Sequence, residues 1–139
     1  MINFFKHKIK GGIGRKKNLI PLIDKVILDN NKTPGDINFV ITNDEVLQSI
    51  NLKYLNTDTY TDIISFTLSE ESGSISGDIY ISLERVRDNA IKYKVTAEEE
   101  FRRILVHGIL HLLGYDDKSK GDKTRMTKME NKYLKAFQE

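Results

Sequence analysis

The sequence predicts an α+β fold, a single domain over residues 1–139 with a small mixed sheet of about four strands and about five helices. Three observations lead there. Up to Ser82, short runs of β-branched and aromatic residues alternate with runs of helical period. From Leu83 onward every apolar repeat is helical. Finally, 139 residues suffice for one proper core, and no repeat, linker or low-complexity tract divides them.

The elements follow in order. Ile2–Phe5 is a short first strand, and Lys8–Lys17, with Gly11, Gly12 and Gly14, is a turn region. Leu19, Leu22, Ile23, Val26 and Ile27 recur at helical spacing, with Pro21 acceptable in a first turn. That helix ends near Asn30-Asn31, and Thr33-Pro34-Gly35-Asp36 is expected to turn. Ile37–Ile41 is the second strand. Thr42 or Asn43 then caps a helix with Val46, Leu47, Ile50 and Leu55 on its apolar face. Asp62–Phe66 and Asp78–Ser82 are two further strands, linked through Leu68–Gly77 as a hairpin with a long tip. Leu83, Val86, Ala90 and Ile91 define a helix ending near Tyr93. Thr96-Ala97-Glu98-Glu99 has the form of a capping box, and it opens the next helix. A last helix spans about Asp122–Phe137, with Met126, Met129, Tyr133, Leu134 and Phe137 as packing residues.

Composition narrows the function classes. With 39% hydrophobic and 30% charged residues, neither disorder nor a membrane span is indicated. The first residues, Met1-Ile2-Asn3-Phe4-Phe5-Lys6, lack the apolar core of a signal peptide, so a cytoplasmic location is the default expectation. Cysteine is absent, which excludes disulfides and thiolate ligands. Any metal must therefore be held by His, Asp or Glu. Net charge is only +2, but Lys6, Lys8, Lys10, Arg15, Lys16 and Lys17 precede the first acidic residue, Asp24. Such a patch can draw in a phosphate backbone, or it is simply a solvated basic loop.

The chemistry concentrates in His107-Gly108-Ile109-Leu110-His111-Leu112-Leu113-Gly114-Tyr115-Asp116-Asp117. Residues i and i+4 share a helix face, so both imidazoles point one way from an otherwise apolar helix. Gly114 is suited to turn the chain in the left-handed region just past the helix end. The chain then bends back and presents two carboxylates near His111. Two nitrogens and a carboxylate oxygen converging on one point make a divalent-metal site, zinc first. The bland alternative is a hydrogen-bonded core histidine, which a pair at this spacing, among only three histidines, makes less economical. A zincin peptidase would carry its general base, Glu, at the position of Gly108. A 2-His-1-carboxylate iron oxygenase remains open on ligand set alone.

With these residues in hand, the sequence resembles the YbeY family of metal-dependent endoribonucleases, also called rRNA maturation factors. His107–Asp116 is similar to the family's HGxLHLxGYDH signature, Thr61–Phe66 to its T-D/N-V-L-S-F strand, and Gly77–Ser82 to its GDI-x-IS strand. The resemblance covers essentially the full length. It implies hydrolysis of RNA phosphodiesters with one Zn²⁺, and rRNA, the small ribosomal subunit and assembly proteins as partners. The family's third histidine falls on Asp117, which implies His107, His111 and Asp117 as ligands. The family's Asn-x-x-Tyr-Arg reads Asn51-Leu52-Lys53-Tyr54-Leu55, so Lys53 or Arg103 is the expected stand-in at the phosphate. The proline after the strand's Phe is Thr67. Asp116 is a candidate general base or partner to a ligand, with a capping role as the alternative. Asp62, Ser65 and Asp78 are assigned first to structure. A rival reading, fed by Leu55 and Asp117, is a non-catalytic assembly factor that zinc merely stabilises.

Overall fold

A computed structural model describes residues 1–11, 19–55, 61–68 and 73–137. Gly12, Gly14, the basic residues Arg15, Lys16 and Lys17, the hairpin tip at 69–72 and the side chain of Leu55 lie outside the described residues. The elements are β1 (Ile2–Lys6), α1 (Leu19–Asp29), β2 (Thr33–Thr42), α2 (Asp44–Ile50), a π-helical turn (Asn51–Leu55), β3 (Ile63–Thr67), β4 (Ser74–Ser82), α3 (Leu83–Tyr93), α4 (Ala97–Leu112) and α5 (Lys120–Ala136). The four strands form one mixed sheet in the order β1-β2-β4-β3. β2 pairs in parallel with both β1 and β4, and β3 closes the edge antiparallel to β4. Fold class and element order are as predicted.

One face of the sheet supplies the core. Ile37, Phe39 and Ile41 of β2 and Ile75, Ile79 and Ile81 of β4 are all but fully buried, at the alternate positions that share a face. α1 buries the five apolar residues its spacing selected, Leu19, Leu22, Ile23, Val26 and Ile27. Each contributes roughly 1.5–3 kcal/mol by leaving water. α4 sits in the middle, packed against α1, α3, α5, β3 and β4. No helix among the described residues is long and apolar enough to cross a membrane.

Two local readings need correction, and a third is narrowed to one of its two candidates. Thr33–Asp36 is not a turn but the start of β2. Thr33 and Pro34 pair with Ser74 and Ile75, and a register shift before Ile37 absorbs Gly35 and Asp36. Proline is tolerated at such an irregular strand start, where no ladder bond needs its missing N–H. β4 is correspondingly longer than Asp78–Ser82, which shortens the hairpin link. Ile91, taken as a core residue, is 78% exposed. Leu83, Val86 and Ala90 already complete the buried stripe of α3, and Ile91 falls outside it. Asn43, rather than Thr42, caps α2, its Oδ1 accepting from the Val46 N–H at 2.9 Å.

Two glycines let α4 lie close on the sheet. A Cβ at Gly108 would stand 2.8 Å from Ile63 Cδ1 and 3.2 Å from two atoms of Ile79. One at Gly77 would stand 2.6 Å from the Phe66 carbonyl oxygen and 2.7 Å from Leu112 Cδ2. The position that carries a general base in zincins is thus pressed against β3 and β4, with no room for a carboxylate. Gly77→Ala is expected to lower the free energy of unfolding by about 1–3 kcal/mol, because a backbone oxygen cannot rotate away. Gly108→Ala should cost less, since its clash is with isoleucine methyls and about 1 kcal/mol of helix propensity offsets it. Urea unfolding of both variants checks that order.

Candidate metal centre

Capping and turn chemistry place the histidines. Thr96 Oγ1 accepts from the Glu99 N–H at 3.1 Å and starts α4 where the sequence indicated. Gly114, at φ +97°, ends it. There the Gly114 N–H donates to the His111 carbonyl and the Tyr115 N–H to that of Leu110, both at 3.0 Å. These two bonds form a Schellman closure, which satisfies carbonyls the helix would otherwise leave open. The closure also brings the Tyr115 carbonyl oxygen to 3.1 Å from His111 Nδ1.

The three side chains expected to converge do so. His107 Nε2 lies 2.9 Å from His111 Nε2, and Asp117 Oδ2 lies 3.3 Å from the first and 3.6 Å from the second. Two donors around a tetrahedral zinc with bonds of about 2.0–2.1 Å stand about 3.3 Å apart, so the triangle has the right size. The protonation pattern fits too. A carbonyl can only accept, so a neutral His111 carries its proton on Nδ1 and its lone pair on Nε2. His107 Nδ1 faces Glu130 Oε2 at 2.7 Å, another acceptor. Two lone pairs and a carboxylate oxygen therefore point at one another, an arrangement that favours a cation between them. Among the described residues this is the group of His, Asp and Glu arranged to hold a metal.

Over residues 9–138 the sequence matches the family model described as endoribonuclease YbeY. A Flavobacterium psychrophilum protein named endoribonuclease YbeY is 46% identical over 133 residues, covering 96% of this chain and 94% of its own length. This chain belongs to the YbeY family. Another protein of that name, from Flavobacterium johnsoniae, is 42% identical over 137 residues, covering 99% of this chain and 97% of its own length. The solution structure of a Thermotoga maritima protein superposes with a TM-score of 0.62 at 26% identity, over 97% of this chain and 87% of that one.

The other residues singled out for the YbeY site are placed as follows. Asp116 is exposed and its Oδ1 accepts from the Asp117 and Lys118 N–H groups at 2.7 and 3.2 Å, a turn cap just ahead of Asp117. Arg103 is half-buried on the cleft wall, donating to Glu130 Oε1 at 3.0 Å and Asn131 Oδ1 at 2.7 Å. Lys53 is exposed on the π-helical turn with its Nζ 5.2 Å from the centre of the Tyr54 ring. Asp78 accepts from Asn38 Nδ2 at 3.0 Å, and the Ser65 hydroxyl is buried with no hydrogen-bond partner. Asp62 accepts from Asn89 Nδ2 at 3.4 Å and lines the same cleft as His107 and Asp117.

Sequence reading missed Glu130 and Glu100, which are 6% and 5% exposed. The signal was there for Glu130: it falls on the stripe of α5 shared by the buried Met126 and Tyr133, where an unpaired carboxylate would be costly. Both glutamates line the cleft, a cavity of about 1150 Å³ that runs from His107 and Asp117 towards the start of α4. Burial pushes the Glu100 carboxyl up to about 7 against the pull of Arg103, and the charges of Asp62 and Glu130 push the same way. Burial likewise raises Asp62. For His107, burial works downward, but the hydrogen bond and charge of Glu130, aided by Asp117 and Asp62, outweigh it and raise the imidazole.

The sign for stability follows. Glu100 has a higher pKa folded than unfolded, so the folded chain binds more protons between about 4.5 and about 7 and loses stability as pH rises through that window. His107 acts in the same sense: its contribution is full below its unfolded pKa and is lost as pH rises through the folded one. Urea unfolding of metal-stripped protein across this range should show declining stability, and Glu100→Gln should flatten the decline.

Proposed function

We propose that this chain is a metal-dependent endoribonuclease of rRNA maturation, with His107, His111 and Asp117 holding one Zn²⁺ and RNA phosphodiesters as substrate. The single observation that carries the reading is the triangle of Nε2, Nε2 and Oδ2 atoms, each aimed by a bond on its far side or by a turn. Membership of a family whose named relatives are endoribonucleases supports the reaction class. A bound zinc ion would bring the pKa of its water towards about 7 and polarise a phosphoryl oxygen.

The chain's own residues would do the rest. With an acceptor behind each ring, neutral His107 and His111 would turn their Nε2 lone pairs to the ion. Asp117 adds a negative charge where the family pattern has a neutral imidazole, which lowers the Lewis acidity of the ion. Gly108, with no side chain, supplies no base, and Asp116 is committed to the turn. Asp62 lines the cleft with His107, and its raised pKa suits it to take or return a proton at the phosphodiester. The ribosomal small subunit and its assembly proteins are the partners this reading implies.

A second reading, RNA binding without hydrolysis by an assembly factor, is favoured by one observation. Arg103, one of the two cations expected at the phosphate, is paired with Glu130 and Asn131. Protein purified without chelator should carry about one zinc per chain and cleave structured rRNA, and chelation should stop cleavage until zinc is restored. His111→Ala should lose the metal and lower kcat/KM by more than the roughly 10–100-fold that losing a ligand's outer partner costs. Cleavage that survives in that variant would exclude His111. Zinc-loaded protein that binds RNA and leaves it intact would establish the second reading, and an iron content in place of zinc would reopen the oxygenase.

A further inference from the structure

The two histidines are held as ligands by different means. His111 donates Nδ1–H to a main-chain carbonyl, a partner that any residue at position 115 would supply. His107 depends on one side chain, Glu130 of α5, whose Oε2 lies 2.7 Å from its Nδ1. That carboxylate is almost fully buried, and its other oxygen takes the Arg103 guanidinium at 3.0 Å. Arg103 stands one helical turn before His107 on α4, and its second nitrogen is anchored to Asn131 at 2.7 Å. We infer that Glu130 is a positioning residue that fixes His107 with its proton on Nδ1 and its lone pair on the ion, and that Arg103 serves this carboxylate rather than the substrate's phosphate. The inference rests on the metal reading above.

The physical logic is one of paired charges. A buried carboxylate is costly unless its charge is matched and its lone pairs are bonded. Arg103 lies 3.0 Å from one oxygen of Glu130, and the other oxygen, 2.7 Å from His107 Nδ1, is the acceptor that fixes the ring behind the ion. Both terminal nitrogens of the guanidinium are used in this way, one on Glu130 and one on Asn131. The same salt bridge also clamps α5 to α4, so the test must separate positioning from clamping.

Glu130→Gln keeps the shape and an acceptor oxygen but loses the charge, and Glu130→Ala loses both. Zinc affinity is measured by competition with a chromophoric chelator, alongside thermal unfolding to confirm a folded state. The His107 tautomer is read by ¹⁵N NMR of metal-free protein at alkaline pH, where both imidazoles are neutral. Wild type should show Nδ1–H at His107. Glu130→Ala should mix the tautomers and lower zinc affinity about 10–100-fold, with Glu130→Gln falling between it and wild type. Arg103→Met should weaken zinc binding in the same direction. A folded Glu130→Ala that holds zinc within about twofold of wild type, or a wild-type His107 with its proton on Nε2, would overturn the assignment. Should wild type bind no zinc, the metal reading falls, while the tautomer comparison still decides whether Glu130 sets the proton's place.

Discussion

How deeply α4 seats on the sheet governs everything at the metal centre. The helix carries both histidines, the carboxylate of Glu100 and the guanidinium of Arg103, and it touches more of the molecule's elements than any other helix. Gly77 and Gly108 let it approach until Leu112 and the helix backbone rest on β3 and β4. With that face pinned, the opposite side of the same helix has a fixed height above the cleft. His107 and His111 meet there because their helix cannot roll or rise without opening the core beneath it.

Around that fixed helix the protein gathers negative charge at low exposure. Asp62, Glu100, Glu130 and Asp117 all line the cleft with His107; burial raises Asp62 and Glu100, and Glu130 raises His107. Such a concentration is unfavourable to the folded chain alone. A divalent cation at the Nε2 atoms would offset it. Arg103 pairs with one carboxylate of the set, Glu130, at 3.0 Å. Asp117 adds one more carboxylate beside the two Nε2 atoms.

The sequence by itself determined the order of strands and helices along the chain, the core stripe of α1, the cap at Thr96, and the convergence of His107, His111 and Asp117. Those features are local: an i, i+4 pair, a glycine one step past a helix and a carboxylate three residues further on are set by the chain's own geometry over about three turns. Only the tertiary structure decided the rest. Thr33–Asp36 carries every local mark of a turn, yet pairing with Ser74 and Ile75 draws it into β2. Glu130 and Arg103 lie on different helices, so their bond, and the bond from Glu130 to His107, depends on how α5 docks against α4. Whether a charged side chain faces substrate or another side chain is a property of packing, because a guanidinium goes to whichever anion the fold has already stripped of water.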